Sequence, residues 1–206
     1  DINIQTARMQ QTRSTRTNEE RSEGTRRALV AAARSLFIEK GFAAASTPQI
    51  VAAAGITRGA LYHHFADKRA LFRVVVELES RAVADAIEAG VPAGLDPVPS
   101  LIAGSRAYLA AMASPGRTRL LLVEGPSVLG SAAVAVLDEA NAARTLRDGL
   151  EAALPDLGEL SLAALAALLS AAFDRAALAI DQGADPQIYS SAMEVLVERL
   201  VRADRA

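Results

Sequence analysis

Apolar residues recur at helical spacing over most of the chain, and nowhere do they alternate in the two-residue rhythm of a half-buried strand. Leu29, Ala32, Ala33, Leu36 and Phe37 form the inner face of a first helix beginning near Arg26. Gly41-Phe42 stops it, a glycine exit with an apolar clamp beyond. Thr47-Pro48 predicts a second, short helix that ends at Gly55: a hydroxyl N-cap followed by proline at the first helical position, where the missing N–H costs nothing. Thr57 caps a third helix running to about Phe65, and Asp67 caps a long fourth over 68–89. Glycines and prolines between 90 and 99 interrupt the pattern. It resumes through Ile102, Tyr108, Leu109 and Met112 as far as Pro115-Gly116. Next come a short apolar segment (120–123), a Gly125-Pro126 turn, one helix over 131–154, and two last helices over 161–182 and 186–202. The predicted fold class is all-α.

The first of those last two helices carries two apolar faces. Leu162, Leu165, Leu169, Phe173 and Ile180 make one stripe; Ala164, Ala167, Leu168 and Ala171 make a second. One face can meet its own domain. The other calls for a partner, and pairing of the last two helices with their copies in a homodimer would cover it. A core helix buried on all sides in a single copy is the alternative.

Residues 1–25 are polar, rich in Gln, Thr, Ser and Arg, and read as a flexible basic arm, with Arg13, Arg16 and Arg21 within reach of phosphates or a minor groove. The net charge of −2 hides an asymmetry: residues 1–80 hold twelve Lys and Arg against eight Asp and Glu, and residues 81–206 hold ten against sixteen. A basic first third fits phosphate contact at one end of the chain.

The sequence contains no cysteine, so it has neither a disulfide framework nor a thiolate nucleophile. Its two histidines, His63 and His64, are adjacent. Neighbours on a helix point about 100° apart and cannot share one ion, so no metal or other cofactor is expected. A Gly-rich phosphate loop and a Ser-centred elbow are both missing, which argues against an enzyme. No unbroken apolar tract of eighteen residues and no opening signal segment occurs. A soluble cytoplasmic protein with no membrane partner is therefore expected.

Chemistry concentrates in residues 47–72. Gly55 allows a tight corner, and Ile50, Ala54, Ile56, Leu61 and Phe65 are spaced to bury against the first helix. That leaves Thr57, Arg58, Gly59, Tyr62, His63 and His64 on the open face of the third helix, as in a helix that enters a DNA major groove. Arg58 suits bidentate contact with guanine; Gly59 and Ala60 allow close backbone approach. Tyr62, His64 and Lys68 suit phosphate oxygens, as do the free N–H groups at the helix starts near Thr47 and Lys68.

From Arg27 to Phe72 this pattern resembles the N-terminal signature of the TetR family. The matching positions are Ala33, Leu36-Phe37, Gly41-Phe42, Ile50, Ala54-Gly55-Ile56, Gly59, Leu61-Tyr62, His64-Phe65, Lys68 and Leu71. Val51 departs from it, standing where the family usually has alanine. The resemblance implies a helix-turn-helix DNA-binding domain over 26–72, with 68–89 as a linking helix, and a ligand-binding and dimerisation domain over 73–206. It also implies a homodimeric repressor that reads a palindromic operator in double-stranded DNA and is released when a small molecule moves the fourth helix. A helix-turn-helix activator, or a DNA-binding protein of low specificity, is the alternative. For the small-molecule site, Tyr108, Met112, Leu122 and Phe173 are candidates as the large residues of an alanine-rich region, with Arg106 or Asp174 to fix a polar group. Each can equally be core filling.

Overall fold

The computed structural model describes residues 2–157 and 159–203, with side chains over 18–157 and 161–201. Every regular element among them is helical: α1 (Ile2–Ala44), α2 (Thr47–Ala54), α3 (Arg58–His64), α4 (Lys68–Gly90), α5 (Pro97–Met112), a π-helical segment (Arg119–Glu124), α6 (Gly125–Leu129), α7 (Ser131–Glu139), α8 (Ala142–Ala153), α9 (Glu159–Asp181) and α10 (Pro186–Ala203). The chain divides into two units, 1–75 and 76–206, and the division falls inside α4.

In the first unit α1 breaks at Gly41, whose φ of 80° suits glycine. Phe42 then folds back so that Phe72 meets Phe37 and Phe42 edge-on, 5.1 Å from Phe37 and 5.0 Å from Phe42 between ring centroids. Leu29, Ala33, Ile50, Leu61, Phe65 and Leu71 complete the core. The helix starts well before Arg26. Where an arm was expected the backbone is helical from Ile2, because no proline interrupts 1–47 and Gly24 costs a helix only about 1 kcal/mol. The side chains of Arg13 and Arg16 lie outside the described residues.

The cap of α2 is Ser46, one residue before the threonine expected to serve. Ser46 Oγ accepts from Gln49 N (3.4 Å) while Gln49 Oε1 accepts from Ser46 N (3.0 Å). This reciprocal box is open to Ser46 because the residue three positions on is Gln49; Thr47 has only Ile50 at that distance. The α2–α3 corner turns on Gly55 (φ 66°, ψ 32°), followed by Ile56 N donating to Val51 O at 3.0 Å.

In the second unit α5 packs on α8 and α10, and α9 packs on α8 and α10. Leu101, Leu109, Leu120, Leu150, Leu169, Phe173 and Val197 are buried between them. Two expectations fail here. The helix foreseen over 131–154 is two helices, because Asn141 (φ −130°, ψ −110°) turns its amide back to the Leu137 carbonyl (2.5 Å), a local bond that competes with the ladder. The turn foreseen at Gly125-Pro126 is helical, with Gly125 N donating to Leu120 O. Pro126 lacks the proton an α-helix would direct at Leu122 O, and the helix widens to a π turn just before it.

By length and composition Ser161–Asp181 of α9 is apolar enough to cross a membrane, an 18-residue stretch of it having a mean hydropathy of 1.7, although it holds no unbroken apolar tract of that length. Counting unbroken apolar residues missed it, because Ser170, Asp174 and Arg175 interrupt the run without lowering its mean below that level. Leu168 (71 % exposed) on α9 and Ile188 (65 %), Val195 and Leu196 on α10 leave an apolar surface open in the single chain.

Candidate nucleic-acid interface and ligand cavity

The outer face of α3 follows from its inner one. Leu61 and Phe65 are buried, so a helix of 3.6 residues per turn must turn Arg58, Gly59, Tyr62 and His63 outward, and all four are exposed. Thr57 Oγ1 accepts from Ala60 N (3.2 Å) and caps the helix. The Arg58 guanidinium lies 5.5 Å from the Tyr62 ring centroid, which steadies a long cation without using its donors. A Cβ on Gly59 would come no nearer than 4.0 Å to any protein atom beyond its chain neighbours, so nothing inside the protein requires glycine there. Ala60, His64 and Thr47 are half-buried at the edges of this face.

Lys68 is differently employed from the phosphate contact expected of its side chain. Its ammonium donates to the carbonyls of Phe42 (2.7 Å) and Ala45 (2.9 Å) and sits 4.3 Å from the Phe42 ring centroid. It ties the end of α1 to the start of α4. Asp67 Oδ1 accepts from Ala70 N (2.7 Å) in the same turn.

In the second unit, Tyr108, Phe173 and Asp174 meet around a cavity of 230 Å³ that Ile87, Leu101 and Leu146 also line. Tyr108, Asp138, Ala142 and Asp174 also line an adjoining cavity of 330 Å³, which Met112 and Leu122 reach. Five of the six ligand candidates are thus assembled. Arg106 is not among them: its guanidinium is exposed and paired with Glu194 through two bonds of 2.7 and 2.6 Å. A residue at position 106 faces α10, two positions away from the inward-facing Tyr108 on the same helix.

Asp138 was missed, although an aspartate closing the apolar run 132–137 is a legible signal. Burial and then the Asp174 carboxylate push its pKa up to about 6. Burial also raises Asp174, against the lowering effect of the bond it accepts from Tyr108 Oη (2.6 Å). Tyr108 is raised in turn by burial and by Asp174. Among the described residues no group of three or more His, Cys, Asp or Glu is placed to hold a metal ion.

A helix-turn-helix with a polar outer face is joined in one chain to a helical unit that carries a cavity between its helices. The family pattern described as bacterial regulatory proteins of the tetR family matches residues 29–75, and that described as the tetracyclin repressor-like C-terminal domain matches residues 98–203. The second alone spans just over half the chain, and the chain belongs to the TetR family of transcriptional regulators. It is 41 % identical over 61 residues to the HTH-type transcriptional repressor BepR of Brucella suis, covering 30 % of this chain and 29 % of that protein. To the regulator AcrR of Shigella flexneri it is 36 % identical over 70 residues, covering 34 % and 33 %. These matches span about a third or less of the curated relatives' own length. Among solved structures, a TetR-family regulator from Pectobacterium atrosepticum superposes with a TM-score of 0.67 at 28 % identity, covering 89 % of this chain and 95 % of that one. A TetR-family regulator from Streptomyces coelicolor, at 22 % identity and a TM-score of 0.72 over 89 % and 97 %, shares the fold.

Proposed function

We propose that the chain is a ligand-responsive cytoplasmic repressor that binds a palindromic operator as a homodimer and leaves it when a small molecule fills the cavity of the second unit. The observation that carries this reading is the α3 face: a capped helix, held from behind by Leu61 and Phe65, presents Arg58, Gly59 and Tyr62 outward with no structural task in the protein. Arg58 reads guanine, Tyr62 and His64 contact phosphates, and the α2 and α4 starts offer backbone N–H groups to the same strand. Two such helices in a dimer, about 34 Å apart, match one turn of DNA. The apolar surface of α9 and α10 supplies the dimer contact, Leu168 and Leu196 being covered by their copies. Ile87 and Glu88 on α4 line the cavity, so an occupant there acts directly on that helix.

Selection of binding sites from a random duplex library, with the wild type and an Arg58→Ala, Tyr62→Ala double variant in parallel, tests the reading. A palindrome recovered by the wild type alone supports it. Enrichment without symmetry points to low-specificity DNA binding, and a promoter that needs the protein for transcription makes it an activator.

A further inference from the structure

The cavity is chemically one-sided. Asp138, Asp174 and Glu88, the last paired with Arg144 at 3.5 Å, line it, and no lysine or arginine among the described residues does so; the adjoining cavity repeats the pattern with Asp138 and Asp174. Four of the five hydroxyls around it, all but Ser170, have their protons committed elsewhere. Ser100 donates to Leu95 O (3.3 Å), Ser105 to Leu101 O (2.7 Å), Thr145 to Ala142 O (2.7 Å), and Tyr108 to Asp174 (2.6 Å). What those groups offer an occupant is lone pairs and negative charge.

The remaining wall is apolar and aromatic. The Phe173 and Tyr108 rings stand 5.6 Å apart at 63° and give a cation a π face beside the carboxylates. An anionic occupant would meet two carboxylates with no countercharge. A neutral one would leave both carboxylates without an opposite charge, Asp138 holding a backbone bond from Ala143 and Asp174 the Tyr108 hydroxyl, which is costly where water is partly displaced. Only a cation answers both.

Resting on the ligand-responsive reading above, we propose that the inducer of this protein is a small amphiphilic organic cation, an amine or quaternary ammonium bound between Asp138 and Asp174 with its apolar part against Phe173, Leu101 and Leu146. Neutral and acidic compounds of the same shape are discriminated against by the same two carboxylates.

The test uses the full-length protein at pH 7.5 and three probes of one shape: 3-phenylpropylammonium, 3-phenylpropanol and 3-phenylpropionate. Calorimetric titration of the DNA-free protein reads the cation preference, and fluorescence polarisation of a selected operator duplex reads release. The expected result is that the ammonium binds about tenfold or more tightly than either other probe, and that Asp138→Asn or Asp174→Asn lowers its affinity by about tenfold while leaving the alcohol's nearly unchanged. The charge series on the wild type stands by itself should either variant fold poorly. Equal or tighter binding of the alcohol or the carboxylate overturns the inference, as does ammonium binding that neither substitution alters. Failure of the wild type to hold any operator would instead overturn the repressor reading, while the calorimetry still decides the charge of the ligand.

Discussion

Two residues of the first unit separate structural from recognition roles. Gly59 lies in a helix with open space where a Cβ would stand, so Gly59→Ala should raise helix stability by about 0.5–1 kcal/mol. If the glycine is kept for close approach of DNA, the same change lowers operator affinity tenfold or more. A melt paired with a polarisation titration reads both, and unchanged affinity removes Gly59 from the interface. Lys68→Met should behave oppositely. It forfeits the bonds to Phe42 O and Ala45 O and destabilises the unit by about 1–3 kcal/mol, yet the slope of log affinity against log salt stays as in the wild type. A slope shallower by about 0.9 would restore Lys68 to the phosphate contacts. In the second unit, Arg117 Nε donates to Glu79 at 2.8 Å and Arg117 Nη1 to Ala111 O at 2.6 Å, with Glu79 only 6 % exposed. Arg117→Ala forfeits both bonds from a nearly buried position and should cost about 1–3 kcal/mol in denaturant unfolding, where Glu79→Gln costs less.

At the scale of elements, α7, α5 and α9 bring acidic groups together at a stability cost that depends on pH. Asp138 is faced by Asp174 from α9, Tyr108 from α5 and its neighbour Glu139, with Glu88 of α4 on the same cavity wall. Its pKa is raised in the fold to about 6, so between its ordinary value near 3.8 and that point the folded chain holds more protons than the unfolded one. Stability therefore falls as pH rises through this window, and the full cost is present above it. Asp138→Asn removes the cost and, discounting for partial exposure, should raise the Tm of the ligand-free protein by about 2–4 °C at pH 7.5, with no gain below pH 4. Equal gains at both pH values would mean the charge is not what the substitution relieves. Little of this arrangement was legible beforehand. The helices of the first unit follow from local signals, glycine exits, caps and 3.6-residue spacing, and, the start of α1 apart, could be placed within a few residues. The split of α7 from α8 turns on one Asn141 amide, and the widened turn before Pro126 on one absent proton, neither of which disturbs hydrophobic periodicity. Arg106 was named and Asp138 overlooked because both lie beside apolar runs, and only packing tells which one faces the cavity lined by Tyr108.

For the whole molecule the deciding question is what covers α9 and α10. A single chain leaves Leu168 71 % and Ile188 65 % exposed, with Val195 and Leu196 beside them, on two helices that pack on each other. Between the large residues of α9 lie Ala164, Ala167 and Ala171, all exposed, which would let a second helix approach closely. Burial of this surface against its own copy hides the same residues twice over through two-fold symmetry, so a change at one position is felt at two sites. Leu168→Arg together with Leu196→Arg sets like charges into both halves of such a contact without touching either unit's core. The expected outcome by light scattering is a monomer with wild-type helical content, and operator affinity reduced at least a hundredfold, because each half-site is then bound independently without the gain in effective concentration that tethering supplies. A half-site duplex should be bound equally by both proteins. If the double variant remains dimeric, the contact lies elsewhere and the apolar surface of α9 and α10 has another occupant.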